Sequence, residues 1–241
     1  MVYSVLGSGE PLVLVHGLSG STRWWSRVTA SLATDFRVYL VDLPGFGTAH
    51  LSTSRLVMAD TTGWLGMWMQ AAGLESAHFV GHSMGGYVCL RLAAEHPELV
   101  RRLVLVAPAT LPPHIAPLCY GVGLLREARR LRLSFLLVAA RDALLTRPAI
   151  FWGALRQLLA GDAATYASQV SAPTLLVWGA LDTVVPPALG YELQQRIPGA
   201  RMKILRGAGH VPMFDQPRQL SRVILEFLRW ENGPLVQEPV V

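Results

Sequence analysis

With 241 residues, 51% hydrophobic and 15% charged, the chain has enough apolar material for one substantial α/β domain, which argues against global disorder. No apolar run reaches the roughly 18 to 20 uncharged residues of a membrane-spanning helix. No basic-then-apolar leader opens the chain, and Cys89 and Cys119 are too few for a disulfide framework; together these features point to a cytoplasmic protein.

The predicted elements alternate. Residues 2–7 and Pro11–Val15 read as short strands joined by Gly-Ser-Gly, and the second runs into the glycine-rich loop His16-Gly17-Leu18-Ser19-Gly20. A helix is expected around 22–33, then a strand Phe36–Val41 closing on Asp42-Leu43-Pro44-Gly45-Phe46-Gly47, then a helix through 56–72. Strand 77–81 leads through Gly81-His82-Ser83-Met84-Gly85-Gly86 into a helix that ends near His96-Pro97, and Leu103–Val106 is a further apolar strand. Alternation resumes with a strand at 174–178, a helix near 187–196, a strand at 201–205 and a helix at 217–230. Strands that are apolar throughout, alternating with helices, make a parallel sheet covered on both faces. Residues 231–241 lack periodicity and read as a tail.

Residues 109–168 interrupt this pattern. Leu124, Ala128, Leu131, Phe135 and Val138 recur at four- and three-residue steps, one face of a helix. A second helical stretch, 148–160, carries Phe151, Trp152, Leu155, Leu158 and Leu159. The segment is expected to form a helical cap over the C-terminal edge of the sheet, where open α/β sheets bind ligands. The domain reading is therefore a core of 1–108 and 169–230, with a cap of 109–168 inserted in it. Most of the net charge of +5 sits here, as Arg126, Arg129, Arg130, Arg132, Arg141, Arg147 and Arg156 against Glu127, Asp142 and Asp162. Without a nucleic-acid motif, this is a solvated face or a contact for an anionic substrate, a carrier protein or a lipid surface.

A serine flanked two residues away by Gly81 and Gly85, between a strand and a helix, has the pattern of a nucleophile elbow. A serine hydroxyl needs a base, and the base needs an orienting acid. Both follow late strands. Asp182 lies in Gly179–Pro186 and His210 in Gly207–Pro212, and the order Ser83, Asp182, His210 suits this architecture. Asp42 precedes the elbow and reads as a loop residue, His82 as a packing residue, and Asp215 as a helix starter.

Taken together, the His16-Gly17 loop, Asp42–Gly47, Gly81–Gly86, Gly179–Pro186 and Gly209-His210 resemble the α/β-hydrolase superfamily, in particular its small capped esterases and carbon–carbon hydrolases. The carrier-protein methyl-ester esterases of biotin synthesis have a similar layout. The resemblance implies an α/β fold with a mostly parallel sheet of about seven strands, helices on both faces and a helical cap. It also implies that Ser83 attacks a carbonyl, His210 relays the proton and Asp182 orients the imidazole, with the amides of Leu18 and Met84 forming an oxyanion hole. Leu18, Phe151, Trp152 and Val211 are the expected substrate contacts, on a small-molecule ester. Nothing points to a metal or cofactor. Carbon–carbon cleavage, lactone opening and a slow-turnover receptor role use the same residues.

Overall fold

The computed structural model describes residues 2–53, 58–110, 116–161 and 163–229. Its strands are β1 (Val2–Leu6), β2 (Glu10–Val15), β3 (Phe36–Asp42), β4 (Ala77–His82), β5 (Val100–Val106), β6 (Thr174–Gly179) and β7 (Arg201–Leu205). They form one sheet in the order β1-β3-β2-β4-β5-β6-β7. All neighbours pair in parallel except β1, which runs antiparallel to β3.

Side-chain alternation divides the core into two layers. Val13, Val15, Phe79, Leu103, Leu105, Leu176 and Trp178 pack on one face of the sheet, while Leu12, Leu14, Val80, Val104, Val106, Leu175 and Val177 pack on the other. Every residue of β4 and β6 is buried, which is why these strands read as unbroken apolar runs.

The helices are α1 (Thr29–Leu32), α2 (Met58–Ala71), α3 (Met84–Glu95), α4 (Ala116–Ala128), α5 (Leu133–Leu145), α6 (Pro148–Ala160), α7 (Ala163–Ala167), α8 (Pro187–Arg196), α9 (Pro212–Asp215) and α10 (Pro217–Leu228). Helices α4 to α7 occupy the interval between β5 and β6 where alternation lapses. No described helix is long and apolar enough to cross a membrane. The expected tail, 231–241, lies outside the described residues.

Two expectations are corrected, and one, the Gly-Ser-Gly turn, is met in a form that the local pattern does not specify. The Gly-Ser-Gly turn does not join neighbouring strands: β1 pairs with β3 (Val2↔Asp42 to Leu6↔Val38), and β2 lies on the far side of β3. Gly7 (φ 78°) and Gly9 (φ 104°) carry the chain past the start of β3, where a side chain on Gly7 would overlap the Phe36 and Ala33 carbonyls. The helix expected over 22–33 is a 3-10 turn, Thr22–Trp25, followed by the single turn α1; Ser21 and Trp24 both donate to Asp142, which holds that segment locally. The stripe from Leu124 to Val138 is not one helix. The chain breaks between α4 and α5, with Arg132 extended (φ −64°, ψ 139°). Phe135 packs on Phe214 (centroids 4.8 Å apart) and Arg132 donates to the Asp215 carbonyl, so α5 has its own anchors on the core. The face of α4 turned inward carries Gly123 and Glu127, while Leu124 and Ala128 are exposed.

Candidate active site

The turn from β4 into α3 holds Ser83 at φ 50°, ψ −114°, a left-handed conformation that costs a non-glycine residue about 1–3 kcal/mol. The surrounding structure enforces it. The Ser83 amide donates to the Val106 carbonyl, and the Ser83 carbonyl accepts from Tyr87 and Ala109. The flanking glycines are required by contact: a side chain on Gly81 would overlap the Gly85 carbonyl, and one on Gly85 would overlap the Val15 and His16 carbonyls. The result is a half-buried serine among buried neighbours.

His210 is held at four atoms. Its Nε2 accepts from Ser83 Oγ at 3.2 Å and its Nδ1 donates to Asp182 Oδ2 at 2.8 Å. Its backbone N–H donates to Glu127 Oε1 at 2.6 Å, and its carbonyl accepts from His82 Nε2 at 2.8 Å. Asp182 is fixed in turn, because its Oδ1 accepts the amides of Val184 and Val185, each at 2.9 Å. Burial alone would lower the pKa of His210. The charge and hydrogen bond of Asp182, with the charge of Glu127, outweigh that penalty and raise it above the usual histidine value. His82 goes the other way: burial, then the neighbouring His210, push its pKa well down, so its imidazole stays neutral. A neutral His82 donating from Nε2 is a backbone clamp on the His210 loop.

The second glycine-rich loop lies against the serine. A side chain on Gly17 would approach Ser83 Cβ to 3.3 Å and His82 Nδ1 to 2.9 Å. His16 Nδ1 donates to the Gly17 carbonyl at 2.8 Å, and its Nε2 accepts the Leu43 amide at 3.1 Å. Asp42 serves that region structurally, accepting from the Thr22 and Thr48 amides and the Thr48 hydroxyl. Among the described residues no hydrogen bond engages the amide of Leu18 or of Met84, and Met84 begins α3, where the helix dipole favours negative charge. A polarised hydroxyl, an imidazole–carboxylate pair and two available amides can together take a carbonyl through acyl transfer.

The family model described as the alpha/beta hydrolase fold matches residues 10–132 and 138–217. The chain belongs to the α/β-hydrolase family. A pimeloyl-[acyl-carrier protein] methyl ester esterase of Aeromonas hydrophila subsp. hydrophila is 33% identical to it, with 92% of this chain and 96% of that protein covered. A 2-hydroxy-6-oxo-6-phenylhexa-2,4-dienoate hydrolase of Comamonas testosteroni is 27% identical over 94% of this chain and 90% of that one. Among solved structures, the enol-lactonase from Burkholderia xenovorans LB400 superposes with a TM-score of 0.79 at 24% identity, covering 95% of this chain and 96% of that one; at that identity it supports the fold. The protein is a hydrolase of this fold.

In this α/β hydrolase the structure brings together Ser83, Asp182 and His210, with the Leu18 loop beside them. Val211, next to His210, is buried, and Leu18 is half-buried against the core. The aromatic pair of α6 lies beside the helix's most buried face. Its inward face carries Ile150, Ala154 and Leu158, whereas Trp152 is 61% exposed and lies edge-on to half-buried Phe151. Ile150 is the inward residue because it fills the space over Gly45 (φ 87°), where a side chain would come within 2.9 Å of it. Asp215 does not cap α10; its carboxylate accepts the Gly209 amide at 2.9 Å and ties down the histidine loop.

Sequence reasoning passed over two buried carboxylates of the inserted helices. Glu127 on α4 accepts from the His210 amide and, at 3.2 Å, from the Thr183 hydroxyl. Asp142 on α5 accepts from the Ser21 hydroxyl at 2.7 Å and from Trp24 Nε1 at 3.0 Å, beside the Gly17–Gly20 loop. Burial raises the pKa of Asp142, against the pull of those two donors. In a helix both residues read as solvated charges; Glu127 directly after Arg126 and Asp142 directly after Arg141 give no sign that they point inward.

Proposed function

We propose that this hydrolase is a carboxylesterase that cleaves small to medium-chain apolar acyl esters through an acyl-enzyme. Ser83 Oγ attacks the ester carbonyl carbon while His210 Nε2 takes its proton. Asp182 holds the other ring nitrogen protonated and stabilises the imidazolium. The tetrahedral oxyanion falls to the amides of Leu18 and Met84, and loss of one such donor typically costs roughly 100- to 1,000-fold. Collapse expels the alcohol, which leaves with the proton from His210. Water, deprotonated by the same nitrogen, then releases the acid and restores Ser83.

One observation carries this reading: the unbroken hydrogen-bond series Ser83 Oγ–His210–Asp182, ending at a half-buried serine in a strained turn. Helices α4 to α7 serve as the cap, with Leu18 and the α6 side chains bordering the acyl site. The base must be neutral to act, so activity rises with pH through the raised pKa of His210 and its acid limb lies above the ordinary histidine value.

The test is p-nitrophenol release from acyl esters of increasing chain length. The expected result is a chain-length optimum and a loss of more than about 1,000-fold in Ser83→Ala. Turnover that survives the substitution would overturn the reading.

A second reading, hydrolysis of a methyl ester carried on an acidic carrier protein, is supported by the 33% identical Aeromonas relative and by the surface of the inserted helices. Arg126, Arg129, Arg130, Arg132, Arg141, Arg147 and Arg156 are exposed there, while Glu127 and Asp142 are buried. A KM that rises steeply with salt for the carrier-bound ester, and not for the free ester, would favour it.

A further inference from the structure

We infer that Glu127, a residue of the inserted helix α4, is a positioning residue for His210, acting on both its main chain and its charge. The inference rests on the reading of His210 as general base. Three observations on geometry carry it. Glu127 is 3% exposed and spends each carboxylate oxygen on one of the two loops that meet at the site: Oε1 on the His210 amide, Oε2 on the hydroxyl of Thr183, next to Asp182. The backbone leaves room for it, since a side chain on Gly209 would overlap Glu127 Oε1 and one on Gly123 would overlap the Thr183 carbonyl. Thr183 also donates to the Gly123 carbonyl at 3.0 Å, so α4 is tied to the Asp182 turn through main chain as well.

A buried carboxylate held this way does more than fill space. Asp182 supplies one negative charge against the imidazolium formed at each proton transfer, and Glu127 supplies a second beside the His210 main chain. The other groups around His210 do not duplicate it. His82 from β4 is neutral and clamps the carbonyl. Asp215 is engaged by the Gly209 amide, with Arg27 and Arg132 near it. Arg130, in the turn just after α4, donates to the Leu181 carbonyl at 3.3 Å. An enzyme with this arrangement has a base whose place and basicity both depend on the seating of the inserted helices.

The test compares wild type, Glu127→Gln and Glu127→Ala in the full chain, by pH profiles of kcat and kcat/KM on p-nitrophenyl butyrate and by thermal melting. Gln keeps an oxygen for the His210 amide and removes the charge. With one negative charge gone, imidazole stays neutral to lower pH, so the acid limb of Glu127→Gln should move down. A weaker base takes the serine proton less readily, so its plateau kcat should fall, by at most about tenfold per unit of that displacement, with KM little changed. Glu127→Ala should show the same shift and a larger loss of kcat. An unmoved acid limb in a folded Gln variant overturns the inference, as does a drop in melting temperature with intact kinetics, the mark of a purely structural residue. Failure of the underlying reading is separate: wild-type hydrolysis would then persist in Ser83→Ala or lack an acid limb altogether.

Discussion

The two edges of the sheet place charge in different company. At the N-terminal ends of the parallel strands, Glu10 meets Arg101 at 2.7 Å and His78 at 3.2 Å, and Asp35 meets Arg229 at 2.6 Å. These residues border a depression of about 550 Å³, yet each of them is answered by another charged side chain, and most are open to water. At the C-terminal ends, Asp182, Glu127, Asp142 and Asp42 are buried, and their partners are chiefly amides and hydroxyls of neighbouring loops. An ion pair at the first edge satisfies itself. A buried carboxylate at the second edge fixes backbone, and the loops so fixed bring His210 to the half-buried hydroxyl of Ser83. That depression is therefore not the better candidate for chemistry; the candidate site lies where buried charge organises loops.

Perturbing the elbow should cost most. Gly85→Ala places a side chain on the Val15 and His16 carbonyls, backbone that cannot move without parting β2 from β4. A loss of more than about 3 kcal/mol in urea unfolding, with no activity, is expected; a soluble, active variant would break the account of the turn. Ser83→Gly sharpens it: both this variant and Ser83→Ala should be inactive, but glycine relieves the φ of 50° and should unfold about 1 kcal/mol later than alanine. At the other edge, Glu10→Gln should change stability by less than about 1 kcal/mol and leave turnover unchanged. His78 first, and then Arg101, hold Glu10 below the usual carboxylate range. That small contribution is thus present above the unfolded-state value, and it vanishes as the pH falls through the folded one. A large effect of Glu10→Gln on kcat would mean that the edges are not independent.

Much of this was readable from residues. Gly81, Ser83 and Gly85 between a strand and a helix have the pattern of a nucleophile elbow, and Asp182 and His210 each follow a late strand of the sheet, so topology brings them to one edge. The pairing of β1 was not readable, because Gly7-Ser8-Gly9 reads locally as a simple turn between strands and its placement past β3 is a long-range fact. The inserted helices misled for a different reason. Hydrophobic periodicity assumes that apolar side chains face inward, and in α4 the inward positions are Gly123, chosen for close backbone approach, and Glu127, chosen for a hydrogen bond. Leu124 and Leu125 are 55% and 71% exposed beside them. In α6 the most conspicuous side chain, Trp152, stays outside while the smaller Ile150 reaches Gly45.

The central claim, that Ser83 is the atom acylated with His210 as its base, can be tested by intact-mass and peptide mass spectrometry after treatment with a fluorophosphonate. The account predicts one adduct per chain, on the peptide holding Ser83, absent in Ser83→Ala and formed far more slowly in His210→Ala. An adduct on another residue, or labelling at the wild-type rate without His210, would contradict it.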